Sequence, residues 1–174
     1  MPFPTLKTER LTLRPLLLSD AQPIFALRSD PEVNKYLDRI PSKTMEDARN
    51  FIHNAIEHAW IYWAITLTAS ETLVGTICLF GFSDKHQNCE IGYELLSNFQ
   101  GNGIMKEAAS KVVEYATQTL KIQTIEAFSH KDNQPSAKLL TQLAFKKSME
   151  PDATNPDCEL FTFGTAIPGL PKNA

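Results

Sequence analysis

A loop with two glycines one residue apart stands between an apolar strand pattern and a helical pattern. It spans residues 100–105 and reads QGNGIM. Glycine lets the backbone turn sharply and approach a ligand closely, because it has no Cβ atom. The first amides of a following helix lack partners within the helix, and the helix dipole places partial positive charge there. The segment therefore predicts a pyrophosphate site, with a turn that only joins strand to helix as the alternative.

Two common nucleotide-binding patterns are missing from this segment. A P-loop carries a lysine directly after its last glycine, and a dinucleotide-binding Rossmann fold carries GxGxxG. The sequence has neither pattern at this loop. A nucleotide-hydrolysing fold and a dinucleotide-binding fold are both disfavoured.

Composition narrows the class of protein that carries the loop. The chain has 174 residues, 43% of them hydrophobic and 21% charged, which is typical of one globular domain. A net charge of −3 disfavours nucleic-acid binding. The sequence has neither an apolar run long enough for a membrane span nor the apolar core of a signal peptide. Three scattered cysteines and no metal-ligand cluster predict a cytoplasmic domain without disulfides or metal.

Strands and helices that would position the loop are predicted from hydrophobic periodicity and from capping and breaking residues. Ser19 and Gln22 have the spacing of a capping box before the first helix, and Pro31 is expected to end that helix. Residues 166–174 are expected to form a loose tail. The predicted strands are 11–14, 63–67, 73–80, 89–96, 122–128, 145–149 and 158–165, and the predicted helices are 20–29, 44–60, 104–120 and 135–143.

Several segments in the same order along the chain resemble one family. Besides the loop, they are residues 8–15 (TERLTLRP), 29–33 (SDPEV), 91–95 (IGYEL) and 133–140 (NQPSAKLL). Together they resemble the RimJ/RimL branch of the GNAT superfamily of N-acetyltransferases over nearly the whole chain. The resemblance implies a single α/β (α+β) domain over the full chain, with a mixed sheet of six to seven strands and about four helices. It also implies that the sheet splays between the fourth and fifth predicted strands.

The resemblance implies where acetyl-CoA binds. In this family the strand before the loop pairs with the pantetheine arm, the loop amides hold the pyrophosphate, and an asparagine further on bonds the arm. Two positions depart from the family pattern. Met105 replaces a glycine or alanine, which we expect to weaken binding little, and Ala144 replaces a glycine, which puts a left-handed turn there in doubt. The implied acetyl-CoA-binding residues are Leu95, Leu96, Gln100, Gly101, Asn102, Gly103, Ile104, Met105 and Asn133.

The leaving thiolate of acetyl-CoA needs a nearby proton donor. Many family members carry a tyrosine seven residues after the asparagine that matches Asn133, but this sequence has Leu140 there. The RimJ/RimL branch often has a serine three residues after that asparagine, and Ser136 occupies this position. We therefore expect Ser136 to contact the thiol and donate a proton. A serine that only satisfies backbone donors at a helix start is the alternative.

The attacking amine must be neutral, so a base has to accept its proton. Glu90, beside the expected splay, is the leading candidate, with Glu94 on the same strand face and Glu126 on the neighbouring strand as further candidates. A solvated strand carboxylate is the simpler interpretation of each. An α-amine, with a pKa of about 7.7–8.0, could react without a base. None of the cysteines lies where an acyl-enzyme would form, so direct transfer from acetyl-CoA is expected.

The sequence leaves the acceptor open. A protein N-terminal α-amine is the leading expectation, and a small-molecule amine or a non-catalytic acyl-CoA-binding domain are the alternatives. In this family the region after the first helix borders the acceptor groove, so Arg28, Lys35, Tyr36 and Arg39 could grip an acidic or peptide substrate. We prefer to interpret them as ordinary exposed residues. The resemblance also allows for a homodimer.

Overall fold

The computed structural model describes residues 3–58, 60–83, 87–149 and 155–164. These residues form one eight-stranded sheet and five α-helices. In chain order the elements are β1 Leu6–Lys7, β2 Leu11–Pro15, α1 Ala21–Ser29, α2 Pro31–Asn34, α3 Met45–Glu57, β3 Ile61–Leu67, β4 Leu73–Phe80, β5 Asn88–Leu95, α4 Ile104–Gln118, β6 Thr124–His130, α5 Gln134–Gln142, β7 Lys146–Lys147 and β8 Cys158–Gly164.

The strand order across the sheet is β1-β2-β3-β4-β5-β6-β8-β7. Every neighbouring pair is antiparallel except β5 and β6, which run parallel. The predicted mixed α/β fold is confirmed. The sheet has one strand more than the predicted six to seven, because two-residue β1 is too short to show periodicity. No helix within the described ranges is long and apolar enough to cross a membrane. The predicted tail at 166–174 lies outside the described residues.

The segment around the first two helices differs from the prediction in two ways. Pro31 ends α1, as predicted, but it also begins α2, because proline fits the first helical position. The carboxylate of Asp30 caps this fifth helix by accepting a hydrogen bond from the amide of Glu32 (2.8 Å). The predicted capping box at Ser19 is wrong. Asp20 is held instead by an ion pair with Arg14 (2.8 Å), and α1 begins after it at Ala21.

Apolar side chains pack on both faces of the sheet, and both β3 and β4 contribute residues to the two cores. One core packs strand residues such as Trp63 and Ile91 against α4 and α5. The other packs Ala64 and Leu73 against α1 and α3. Burial on both faces fixes the register of the strands, because a slip of one residue would exchange the two faces.

A wedge-shaped gap opens between β5 and β6. The two strands pair at only three positions, from Asn88 opposite Thr124 to Glu90 opposite Glu126. Beyond these positions β5 pairs with β4 and β6 pairs with β8. Within the described residues, the facing edges of β5 and β6 are therefore left to pair with something else. The splay predicted between these strands is confirmed.

Candidate active site

The glycine loop has the conformation that its sequence predicts. Gly101 and Gly103 adopt left-handed backbone angles, with φ of +77° and +74°. A Cβ atom would meet nothing within 4 Å at Gly101, and only a nitrogen of Arg10 at 3.5 Å at Gly103. The backbone conformation, rather than crowding, therefore selects glycine, and the space beside the loop is open to a ligand.

Helix α4 begins directly after this loop. Its first backbone hydrogen bond runs from the amide of Glu107 to the carbonyl of Gly103 (3.1 Å). The amides of Ile104, Met105 and Lys106 precede this bond, so the helix itself does not use them. The side chains of Ile104 and Met105 are buried in the core. Because the methionine side chain packs inward, it leaves the amide side of the loop clear, and the residues present fit a pyrophosphate.

Arg10, before β2, fastens the loop to the rest of the sheet. Its guanidinium donates to the carbonyl of Asn102 (3.1 Å) and forms an ion pair with Glu107 (2.7 Å). Glu107 also accepts hydrogen bonds from the hydroxyl of Thr8 (2.5 Å) and the amide of Arg10 (2.9 Å). Burial acts to raise the pKa of Glu107, but these hydrogen bonds and the charge of Arg10 lower it by more, so the pKa stays below its usual range. Sequence analysis missed this link, although Thr8 and Arg10 lie in the TERLTLRP segment.

At the other end of the loop, side-chain and backbone bonds tie it to β5. The side-chain amide of Gln100 donates to the carbonyl of Leu95 (3.0 Å). The amide of Leu96 donates to the carbonyl of Val74 (2.9 Å), so it faces β4 rather than the gap. The carbonyl of Leu96 accepts from the amide of Phe99 (2.9 Å), so both leucines predicted to bind acetyl-CoA are tied by their carbonyls to the segment that leads into the loop.

Two hydroxyl groups connect β5 to α5 across the gap. The oxygens of Tyr93 and Ser136 lie 2.9 Å apart. Ser136 stands in the first turn of α5, where its amide donates to the side-chain oxygen of the cap residue Asn133 (3.2 Å). Burial raises the pKa of Tyr93 to about 12, against the effect of the hydrogen bond to Ser136, so its hydroxyl keeps its proton at neutral pH. Sequence analysis found Ser136 and Asn133 but missed Tyr93.

Leu140 cannot replace the tyrosine that many family members carry at its position. Its side chain is fully buried in the core beneath α5. The next turn of the chain also departs from expectation, because Ala144 adopts a left-handed φ of +65° without a glycine. The amide of Phe145 donates to the carbonyl of Leu140 (3.0 Å) and closes the end of α5. The left-handed turn that the sequence put in doubt is present.

The three candidate carboxylates share one face of the sheet but have different surroundings. Glu90 and Glu126 face each other at the last paired position of β5 and β6, at the closed end of the gap. Glu94 is buried and accepts a hydrogen bond from the hydroxyl of Thr76 (2.9 Å). Arg39 lies 2.5 Å from its other oxygen, in an ion pair without hydrogen-bond angles. Glu94 is thus engaged by its neighbours.

The segment after α2 reaches both edges of the gap. The ring of Tyr36 stacks on His130 of β6 with centroids 5.3 Å apart, while Arg39 pairs with Glu94 of β5. Since Glu94 also contacts Tyr62 in the core beneath α1 and α3, this segment covers the gap on that face. The opposite face carries the hydroxyl pair described above. The gap is therefore bordered by polar groups on both faces.

Two cysteines near the gap are poor nucleophiles. Burial raises the pKa of Cys78 to about 12, with Glu94 adding to the shift. Burial also raises the pKa of Cys89 to about 12, helped by Glu90 and Glu126. Thiols with such pKa values stay protonated at neutral pH, and the thiolate is the nucleophilic form. No group of His, Cys, Asp and Glu side chains in the described part of the chain could hold a metal ion.

A helix start whose first amides have no partner among the described residues thus lies beside two splayed parallel strands. The family model described as acetyltransferase (GNAT) domain matches residues 10–146. This chain belongs to the GNAT acetyltransferase family. It is an acyltransferase of class EC 2.3.1, and GNAT acetyltransferases use acetyl-CoA as the acetyl donor.

Individual relatives agree with this assignment. The chain is 36% identical over 149 residues to the uncharacterized N-acetyltransferase YoaA of Bacillus subtilis, covering 83% of this chain and 84% of the relative. It is 37% identical over 148 residues to the uncharacterized N-acetyltransferase p20 of Bacillus licheniformis, covering 82% and 83%. Both relatives match this chain along most of its length.

Solved structures share the fold at lower identity. A GNAT-family acetyltransferase from Bacillus anthracis superposes with a TM-score of 0.83 at 22% identity, covering 92% of this chain and 98% of that one. A ribosomal-protein-S5-alanine acetyltransferase from Vibrio fischeri gives a TM-score of 0.75 at 20% identity, covering 92% and 96%.

Proposed function

We propose that this GNAT acetyltransferase moves the acetyl group of acetyl-CoA directly onto a primary amine, and that its acceptor is a protein N-terminal α-amine. The observation that carries the proposal is the gap between β5 and β6, together with the first amides of α4, which have no partner in the part of the chain that the structure describes. A RimJ/RimL-like role agrees with the fold shared with the S5-alanine acetyltransferase. The chain's own residues bind the pyrophosphate, supply a proton to the leaving thiolate and accept a proton from the amine.

Residues 100–105 hold the pyrophosphate of acetyl-CoA through their backbone amides. The start of α4 carries partial positive charge, so a protein of net charge −3 can bind this anion through oriented amides rather than through a basic surface. Arg10, half exposed beside Gly103, adds a positive charge at the same place. Leu95 offers a strand edge to the pantetheine arm, and Asn133, the cap residue of α5 after β6, is the proposed hydrogen-bond partner of the arm.

The Tyr93–Ser136 pair supplies the proton for the leaving thiolate. Ser136 donates a proton to the sulfur, and Tyr93 replaces it through the 2.9 Å contact. The proton that the attacking nitrogen releases as the amide forms returns to Tyr93 through water, so neither hydroxyl stays ionised. Each hydroxyl can donate and accept at once, so the pair conducts a proton without either group ionising beforehand. The raised pKa values of Cys78 and Cys89 support direct transfer, since neither thiol is poised to carry the acetyl group.

Glu90 accepts the proton of the amine through a water molecule. Glu94 is engaged by Arg39 and Thr76, so it does not serve as a second base. This favours an acceptor that needs little help from a base, such as an α-amine. An α-amine has a pKa of about 7.7–8.0, against about 10.4 for a lysine side chain. Roughly a tenth of it is neutral at pH 7, so it needs little help from a base.

Release of free CoA thiol tests the proposal. The protein is incubated with acetyl-CoA and peptides with free N-termini, the same peptides with blocked N-termini, and small amines. We expect thiol release with the free peptides only, and mass spectrometry should place the acetyl group on the α-amine. Release with small amines alone would contradict the acceptor. Binding of acetyl-CoA without release for any amine would contradict transfer and leave a non-catalytic acyl-CoA-binding domain.

A further inference from the structure

A groove of about 440 Å³ lies between α1 and α3, on the sheet face that the Tyr36–Arg39 segment covers. The loop at residues 40–43 forms one wall, and the first two turns of α3 form the other. Arg28, from the last turn of α1, lines it beside Phe51. Of the two cationic side chains described in this groove, Arg28 is half-buried and Lys43 is exposed.

In the described part of the chain, no carboxylate forms an ion pair with the half-buried guanidinium of Arg28. Its Nε is buried without a hydrogen-bond partner among the described residues. Its guanidinium carbon lies 3.9 Å from the centre of the Phe51 ring, which holds it in place without neutralising it. Burial lowers the pKa of Arg28, and the positive charge of Arg39 lowers it further, against the effect of Glu94.

The charges around Arg28 do not balance. Arg28 and Arg39 both lie near Glu94, but the carboxylate of Glu94 is paired with Arg39 at 2.5 Å. Half-buried Arg28 and Arg39 thus share one carboxylate, which leaves one positive charge without a counter-charge among the described residues. A buried unpaired charge is costly, and an anion from outside would relieve that cost.

The remaining polar groups of the groove do not neutralise this charge. The carboxylate of Asp47 accepts from the amides of Lys43 (2.8 Å) and Thr44 (2.9 Å) and completes the capping box of α3, and its negative charge offsets the positive charge of the Lys43 side chain. The side chain of Lys43 adds another positive charge at the rim, and Asn50 adds an amide donor. With Lys43 and Asp47 offsetting each other, the groove keeps the positive charge of Arg28 and has neutral donors beside it, and a planar guanidinium with such donors suits a carboxylate.

We infer that this groove is an anion subsite for the acceptor, and that Arg28 binds a carboxylate which the acceptor carries in addition to its reacting amine. The inference rests on the proposed function and deepens it. It selects peptides with an acidic residue near the N-terminus, or amino acids, over polyamines. Arg28 touches the acceptor away from the reacting atoms, so it determines specificity and takes no part in proton transfer.

Matched acceptors test the subsite. They are peptides with aspartate or asparagine at the second, third or fourth position, which differ by one charge. For at least one position, we expect kcat/KM of the wild type to be about tenfold or more higher for aspartate. Arg28→Gln should bring the ratio near one, and Arg28→Lys should keep part of it. Arg49→Gln, which removes an exposed cation of α3, is the control and should leave the ratio unchanged.

Binding measurements separate this inference from the proposed function. Calorimetry of the acetylated peptides with the protein–CoA complex reports the preference even if no transfer is seen. Melting temperature and CoA affinity show whether each variant is folded. Equal binding and turnover of aspartate and asparagine peptides in the wild type would overturn the subsite, and so would a preference that survives in Arg28→Gln. Absence of transfer to every peptide would overturn the proposed function instead.

Discussion

Replacing Gly101 by asparagine separates the two roles of the glycine loop, its shape and its ligand. Gly101 has φ of +77°, a conformation that asparagine adopts more readily than other residues with a side chain. A Cβ atom there would meet no protein atom within 4 Å, so the substitution causes no clash. The added side chain instead occupies the open space in which we place the pyrophosphate.

The size of each effect follows from the structure. An alanine at Gly101 would suffer the left-handed penalty of about 1–2 kcal/mol, and asparagine should suffer less. For a chain of this length, about 1 kcal/mol corresponds to about 2–4 °C in melting temperature. Losing one amide bond to a charged phosphate costs about 1.5–3 kcal/mol, which is roughly 10-fold to 100-fold in the Kd of CoA.

Calorimetric titration with CoA measures this effect, and S-acetylpantetheine is the matched ligand without a pyrophosphate. We expect Gly101→Asn to weaken CoA by roughly 10-fold to 100-fold while binding S-acetylpantetheine as the wild type does. Gly101→Ala should bind CoA better than Gly101→Asn although it melts lower. A folded Gly101→Asn variant with the wild-type Kd for CoA would refute the reasoning.

Four further results are expected. Ser136→Ala and Tyr93→Phe should each lower kcat by about 10²-fold with little change in the KM of acetyl-CoA. The double variant should be no slower than the slower single one, and additive losses would show that the two hydroxyls act separately. Glu90→Gln should lower kcat/KM about 10²-fold for an amine of pKa near 10 and much less for an α-amine, and equal losses in the two pH–rate profiles would remove Glu90 as the base. Ala144→Gly should raise the melting temperature by about 2–4 °C, because relief of the left-handed strain exceeds the entropy that glycine adds to the unfolded chain; a lower melting temperature would contradict this. Glu107→Gln should lower the melting temperature at pH 7, and its difference from the wild type should shrink as the pH falls below about 4.3, because a carboxylate of lowered pKa stabilises the fold only while ionised; a difference independent of pH would contradict the account.

Features set by neighbouring residues could be predicted from the sequence. The left-handed turn at Gly103 depends on one residue, and the strand β5 follows from alternation over eight residues. The resemblance to a known family added the gap between β5 and β6. Local patterns failed where a distant group competed, as at Asp20, whose carboxylate pairs with Arg14. Ala144 was misjudged because closing the end of α5 outweighs the preference for glycine.

Contacts between distant residues were out of reach of sequence reasoning. Arg10 and Glu107 lie 97 residues apart, and Tyr93 and Ser136 lie 43 apart. Nothing in the composition of either segment indicates its partner, because each contact depends on how the helices pack on the sheet. Arg28 was interpreted as an ordinary exposed residue, since its burial against Phe51 is a tertiary contact.

A crystal structure of the protein with CoA tests the central claim most directly. We predict that the pyrophosphate lies on the amides of residues 100–105, that the pantetheine arm runs between β5 and β6, and that the sulfur lies within hydrogen-bond distance of Ser136. CoA bound at any other surface, with the gap between β5 and β6 empty, would contradict the account.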